Sequence, residues 1–172
     1  PQAWATSTGG PVIVAVIDSG VDLEHPDLQA NLVSGVDYVD RLPGGLPSTN
    51  PQDENGHGTH VTGIVAAVGN NAIGVSGTAW TARVMPVRVL DKNGNGYVTD
   101  AVLAIKWAVE HGGRIINLSL GTPETDSLAV FEDAVRYAQA RNVLVVAAAG
   151  NLPPFTLGQP VYPASFAGVV GV

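Results

Sequence analysis

Cysteine is absent from the 172 residues. Its absence excludes thiol nucleophiles, disulfide frameworks and thiolate metal sites, and leaves every compartment open. Charge is scarce, and positive charge scarcer. Only 13% of residues are charged, with 8 Lys and Arg against 15 Asp and Glu, a net charge of −7. Such a surface argues against nucleic acid and membranes as partners; it suits a soluble protein, or one that holds cations. No apolar run reaches the roughly 18 residues that a membrane span needs. Neither Gly-x-x-x-x-Gly-Lys nor Gly-x-Gly-x-x-Gly occurs, which removes the usual nucleotide-binding fingerprints. The opening residues carry no charged-then-apolar leader, so a mature chain is expected.

What is present reads as a folded α/β chain. An apolar content of 45% keeps it out of the disordered class, and its length predicts one domain. The run Val12-Ile13-Val14-Ala15-Val16-Ile17 is continuous and rich in β-branched residues, the pattern of a strand buried on both faces. Val84 to Leu90, Ile115 to Leu120 and Val143 to Ala148 look the same, and Val169 to Val172 looks like the start of another. Between them lie helical periods. Val98 to Glu110 groups Val102, Ile105, Ala108 and Val109, with Thr99 as the expected N-cap and Gly112-Gly113 as the stop. Leu128 to Ala140 groups Leu128, Phe131, Val135 and Ala138, and His60 to Val68 is a third helix, rich in small residues. Alternating strands and helices predict a doubly wound, mostly parallel sheet with helices on both faces.

Open sheets of this kind bind ligands beyond the carboxyl ends of their strands. Three such ends carry polar residues: Asp18-Ser19-Gly20, Ser119-Leu120-Gly121, and Ala148-Ala149-Gly150-Asn151. A fourth polar block is Asn55-Gly56-His57-Gly58-Thr59-His60. His57 sits between two glycines, which leaves its ring uncrowded. The His57 to His60 spacing is three with no Glu between, unlike the His-Glu-x-x-His zinc pattern. Asp91-Lys92-Asn93-Gly94-Asn95-Gly96 imitates the opening of an EF-hand, but its twelfth position is Val102 and not a bidentate acid, so that reading fails.

Asp18-Ser19-Gly20, His57-Gly58-Thr59-His60-Val61, Ser119-Leu120-Gly121 and Ala147-Ala148-Ala149-Gly150-Asn151 resemble the signature blocks of subtilisin-like serine proteases, in the same order. The likeness runs from about Val12 to the C-terminus. It implies that His57 is the general base, that Asp18 orients it, and that Asn151 donates to the oxyanion. It implies that Ser119, Leu120 and Gly121 on one side, and Gly94, Asn95 and Gly96 on the other, sandwich a polypeptide substrate as an added strand. Ala148 and Gly150 would line the pocket for the residue before the scissile bond.

The family's nucleophile lies in a Gly-Thr-Ser-Met-Ala block after the oxyanion Asn. None of the serines here, from Ser7 to Ser165, sits in such a block. The expectation is therefore that residues 1–172 are the N-terminal portion of a single catalytic domain, with the Ser on a companion C-terminal segment. The alternative is a catalytically inactive peptide-binding relative. The resemblance further implies a secreted protein, a pro-segment or protein inhibitor as a possible partner, and a structural calcium site. The calcium ligands would be Asp27, Asn71 and the carbonyls of Val68, Ile73 and Val75. A turn closed by Asx hydrogen bonds is the other reading of that loop.

Overall fold

A computed structural model describes residues 2–123, 126–151 and 160–172. Among these residues six strands form one sheet: β1 (Ile13–Asp18), β2 (Val36–Asp37), β3 (Arg83–Arg88), β4 (Ile115–Leu118), β5 (Leu144–Ala147) and β6 (Val170–Gly171). Their order is β2-β3-β1-β4-β5-β6, and every neighbouring pair is parallel. Among the described residues three α-helices link β2 to β5 in succession: α1 (His57–Ala66), α2 (Val98–Glu110) and α3 (Leu128–Gln139).

The unbroken apolar strands follow from helices covering both faces. Ala15 and Ile17 of β1 face α2 and α3, packing with Met85, Val87, Ile105, Ile116 and Phe131. Val14 and Val16, one residue out of phase, face the other side with Val84 and with Ala66 of α1. One strand thus contributes to two cores, which an alternating polar strand could not do.

Several boundaries differ from the sequence expectation. Helix α1 begins at His57, not His60, and ends at Ala66. Thr99 is not the N-cap of α2. Tyr97 holds that position, without a side-chain cap, and Thr99 lies inside the first turn. Strand β2, two residues long, is too short to leave a period in the sequence. At the opposite edge of the sheet, β6 is exposed on both of its residues.

Candidate active site

Strand β1 delivers Asp18 to the carboxyl edge of the sheet with no solvent exposure. Its Oδ1 accepts two hydrogen bonds, from the Ser19 backbone N–H at 2.7 Å and from His57 Nδ1 at 2.7 Å. A carboxylate has only lone pairs to offer, so Nδ1 carries the proton and the imidazole's Nε2 is left as acceptor. The His57 side chain keeps 47% of its exposure, so that free nitrogen can be approached from solvent. Asp18 Oδ2 is buried and has no hydrogen-bond partner among the described residues. Burial pushes the Asp18 carboxyl up, against the opposing pull of His57 and of the Ser19 N–H.

The contact depends on how closely α1 docks on the turn after β1. A Cβ on Gly58 would stand 2.2 Å from the Gly20 carbonyl oxygen, so only glycine permits this approach. Gly56 meets nothing within 4 Å, but its φ of +99° lies in the left-handed region. The two glycines around His57 therefore serve the backbone.

The loop that leads into α1 is tied at two places. Arg88, 3% exposed at the end of β3, donates to Asp37 (3.3 Å), Asp40 (2.7 Å) and Glu54 (2.5 Å). Asp53 accepts from the backbone N–H groups of Asn55, Gly56 and Thr59, each at 2.9 Å, and from the Thr59 hydroxyl at 2.6 Å. Burial of Asp53 is outweighed by the Thr59 hydroxyl and these N–H groups, which hold its carboxyl below the usual range. Asp53 explains the early start of α1: it satisfies N–H groups that a helix start leaves without partners. Sequence reading missed it, although an Asp shortly before a helix is a recognisable start signal.

His57 stands at a cleft of about 490 Å³, whose lining includes Gly94, Asn95 and Gly96 on one side and Ser119, Leu120 and Gly121 on the other. Val89, Leu90, Ala101 and Phe131 also line it. Asp91 shapes the first segment, with its carboxylate accepting from Asn93 N–H at 2.8 Å and Asn95 N–H at 2.9 Å. The N–H groups of Asn95 and Asn93 lower the Asp91 carboxyl. Sheet pairing of β4 with β5 stops at Leu118, which frees the second segment from the ladder. Ala148, Gly150 and Asn151 follow β5 and are not part of the cleft lining. Ala148 borders it, its carbonyl oxygen 3.7 Å from where a Cβ on Gly121 would sit, while Gly150 and Asn151 are exposed.

On the other side of α1, Asp27 and the loop 70–76 come together. Asp27, 2% exposed, accepts from the Asn71 amide at 2.7 Å and from the Val75 N–H at 2.9 Å. Its backbone carbonyl accepts from the Val68 N–H at 2.9 Å. The Asn71 side-chain oxygen accepts from the Ile73 N–H at 3.1 Å, an Asx turn. Loop residues 70–76, Ile73 among them, line a cavity of about 360 Å³. Among the described residues, no three or more His, Asp or Glu gather as a metal cluster.

Comparison with known proteins defines the family. Residues 9–172 match the Subtilase family. The chain is 41% identical to thermitase of Thermoactinomyces vulgaris over 172 residues, covering 100% of this chain and 58% of that protein. It is 45% identical to subtilisin Savinase of Lederbergia lenta over 165 residues, covering 96% of this chain and 56% of that one. Among solved structures, a protease from Pseudoalteromonas arctica PAMC 21717 superimposes with a TM-score of 0.87 at 35% identity, over 99% of this chain and 58% of that chain.

This chain belongs to the subtilase family and has its α/β fold. It is homologous to subtilisin-family serine proteases and spans a little over half the length of the relatives named above. Among the described residues, no helix is long and apolar enough to cross a membrane.

Proposed function

We propose that this chain supplies the base, the orienting acid and an oxyanion donor of a secreted serine endopeptidase. The observation that carries the reading is the 2.7 Å contact between His57 Nδ1 and Asp18 Oδ1 at the mouth of a peptide-sized cleft. In this reading a polypeptide lies between residues 94–96 and 119–121 as an added strand. Nε2 of His57 takes the proton from a serine hydroxyl as it attacks the scissile carbonyl, then returns it to the leaving amine. Asp18 holds the ring in the tautomer this requires and stabilises the imidazolium. The Asn151 amide donates to the oxyanion, and Ala148 and Gly150 border the pocket for the preceding side chain. The serine comes from a segment or companion chain outside residues 1–172. A pro-segment or protein inhibitor would occupy the same cleft.

Asn151→Ala in the whole enzyme tests the assignment. Turnover is expected to fall by about 10²–10³ with KM nearly unchanged, because the donor acts on charge that exists only in the transition state. Steady-state kinetics decide it; unchanged turnover would remove Asn151 from the site. A whole protein with no turnover at all would favour the peptide-binding alternative.

The same reading includes a structural calcium ion held by Asp27, Asn71 and the carbonyls of Val68, Ile73 and Val75. The donors are all oxygen and one is a buried carboxylate, which suits a hard cation. The Asn71 amide now turns its nitrogen to Asp27. Rotated to present oxygen, it would set oxygen against oxygen, an arrangement that only a cation between them would stabilise. Chelator is therefore expected to lower the melting temperature, and Asp27→Ala to abolish that response. A variant that still responds fully would place the ion elsewhere.

A further inference from the structure

Asp53 belongs to no group of residues that performs the chemistry, yet its carboxylate is the most heavily used in the described structure. Beyond the four contacts with Asn55, Gly56 and Thr59, its Oδ1 accepts from the Ser19 hydroxyl at 2.9 Å. That same hydroxyl accepts from the Gly58 N–H at 2.9 Å. The Asp53 backbone N–H donates to the Val21 carbonyl at 3.0 Å. Thr59 completes the circuit, its hydroxyl accepting from the Asp22 N–H at 2.9 Å.

The partners fall into two groups. Ser19, Val21 and Asp22 follow Asp18 directly, while Asn55, Gly56, Gly58 and Thr59 flank His57. Asp18 and His57 are thus carried by two backbone segments, and each segment is bonded to the Asp53 side chain. Ser19 is the joint between them: its N–H holds Asp18 Oδ1, and its hydroxyl links Asp53 to the residue after His57.

We propose that Asp53, acting through Ser19, is a positioning residue that fixes the separation and angle between Asp18 and His57. The inference rests on His57 and Asp18 forming the working pair. A loop free to move by about half an ångström would lengthen a 2.7 Å contact into a weak one. Such support is what an active pair needs from the residues behind it. The surrounding turn has no slack to absorb a lost bond, because Gly58 already lies against Gly20.

The test is proton NMR of the whole protein that carries this chain, reading the low-field resonance of the His57 Nδ1 proton shared with Asp18. Two variants are compared with the parent. Asp53→Asn keeps an oxygen for Ser19, Asn55 and Gly56 but turns an N–H₂ toward the donors of Thr59. Ser19→Ala keeps the Asp53 charge and cuts the joint. A third, Thr81→Val, removes the bond to Thr8 (2.8 Å) far from the site and serves as a control for general loss of stability.

The resonance is expected to be lost or to move upfield in Asp53→Asn and Ser19→Ala, and to stay in place in Thr81→Val at a comparable melting temperature. If Asp53→Asn does not fold, Ser19→Ala decides alone. Folded Ser19→Ala and Asp53→Asn proteins with an unmoved resonance would overturn the proposal and leave Asp53 as a helix cap only. A parent chain without the resonance would overturn the His57–Asp18 pairing itself, which is a different failure.

Discussion

Replacing His57 by alanine in the whole enzyme is expected to lower turnover about 10⁶-fold, the scale on which a subtilase loses its base. A serine hydroxyl at neutral pH is a poor nucleophile until a base removes its proton during attack. Asp18 cannot substitute, because it is fully buried beneath the ring and its Oδ1 already faces Ser19. Residual activity of about 10³–10⁴ over water would remain from the oxyanion donor and from substrate binding. KM should change little, since in the proposed function the two edge segments, and not the imidazole, hold the peptide. The melting temperature should fall at neutral pH, because the variant leaves the buried Asp18 carboxylate without its side-chain partner. Kinetics and thermal unfolding of the same variant check both parts. A loss of only about tenfold would mean that another group acts as base.

Asp18→Asn is expected to separate activity from stability. Turnover should fall by about 10⁴, as it does where an amide replaces this acid and leaves the imidazole in the wrong tautomer. The fold, by contrast, should gain. Asp18 carries a carboxylate with no exposure and one oxygen without a partner among the described residues, and a buried unsatisfied polar group costs about 1–3 kcal/mol, more when charged. Burial raises its folded pKa, so its stabilising contribution is present below the ordinary carboxylate pKa and lost as pH rises through the raised value. Asparagine keeps an oxygen for the Ser19 N–H and removes the charge. The variant's melting temperature should therefore exceed the parent's at neutral pH, by about 2–4 °C per kcal/mol. The difference should vanish at acid pH, where the parent is protonated as well. A variant less stable than its parent at neutral pH would mean that the His57 hydrogen bond outweighs the burial cost of the carboxylate. Asp53 behaves oppositely: its lowered carboxyl stabilises the fold above the ordinary carboxylate range, and that contribution is lost as pH falls through its lowered folded value.

Where long apolar periods exist, the sequence was sufficient. The β-branched run at Val12 to Ile17 and the period from Val98 to Glu110 report burial directly, and the structure places β1 and α2 there within a residue. The start of α1 was not legible that way. Its first turn is Gly-rich and depends on a carboxylate four residues upstream, so no apolar period marks it. Strand β2 exists because Val36 and Asp37 pair with β3, a contact that two residues cannot announce. The site divides along the same line. Asp18 and His57 stand out as polar residues at a strand end and in a Gly-His-Gly turn. Ser19 and Thr59 look like ordinary turn and helix residues until the backbone brings them onto Asp53.

The central claim is that this chain holds the acid and base of a serine protease whose nucleophile lies outside residues 1–172. Fluorophosphonate labelling of the protein purified from its own source, read by intact mass and peptide mapping, tests it most directly. The account predicts one label per active site, on a serine in a Gly-Thr-Ser context, with no label on residues 1–172. Labelling should fail in His57→Ala. Stoichiometric labelling of a serine within residues 1–172 would contradict the account and require a different nucleophile.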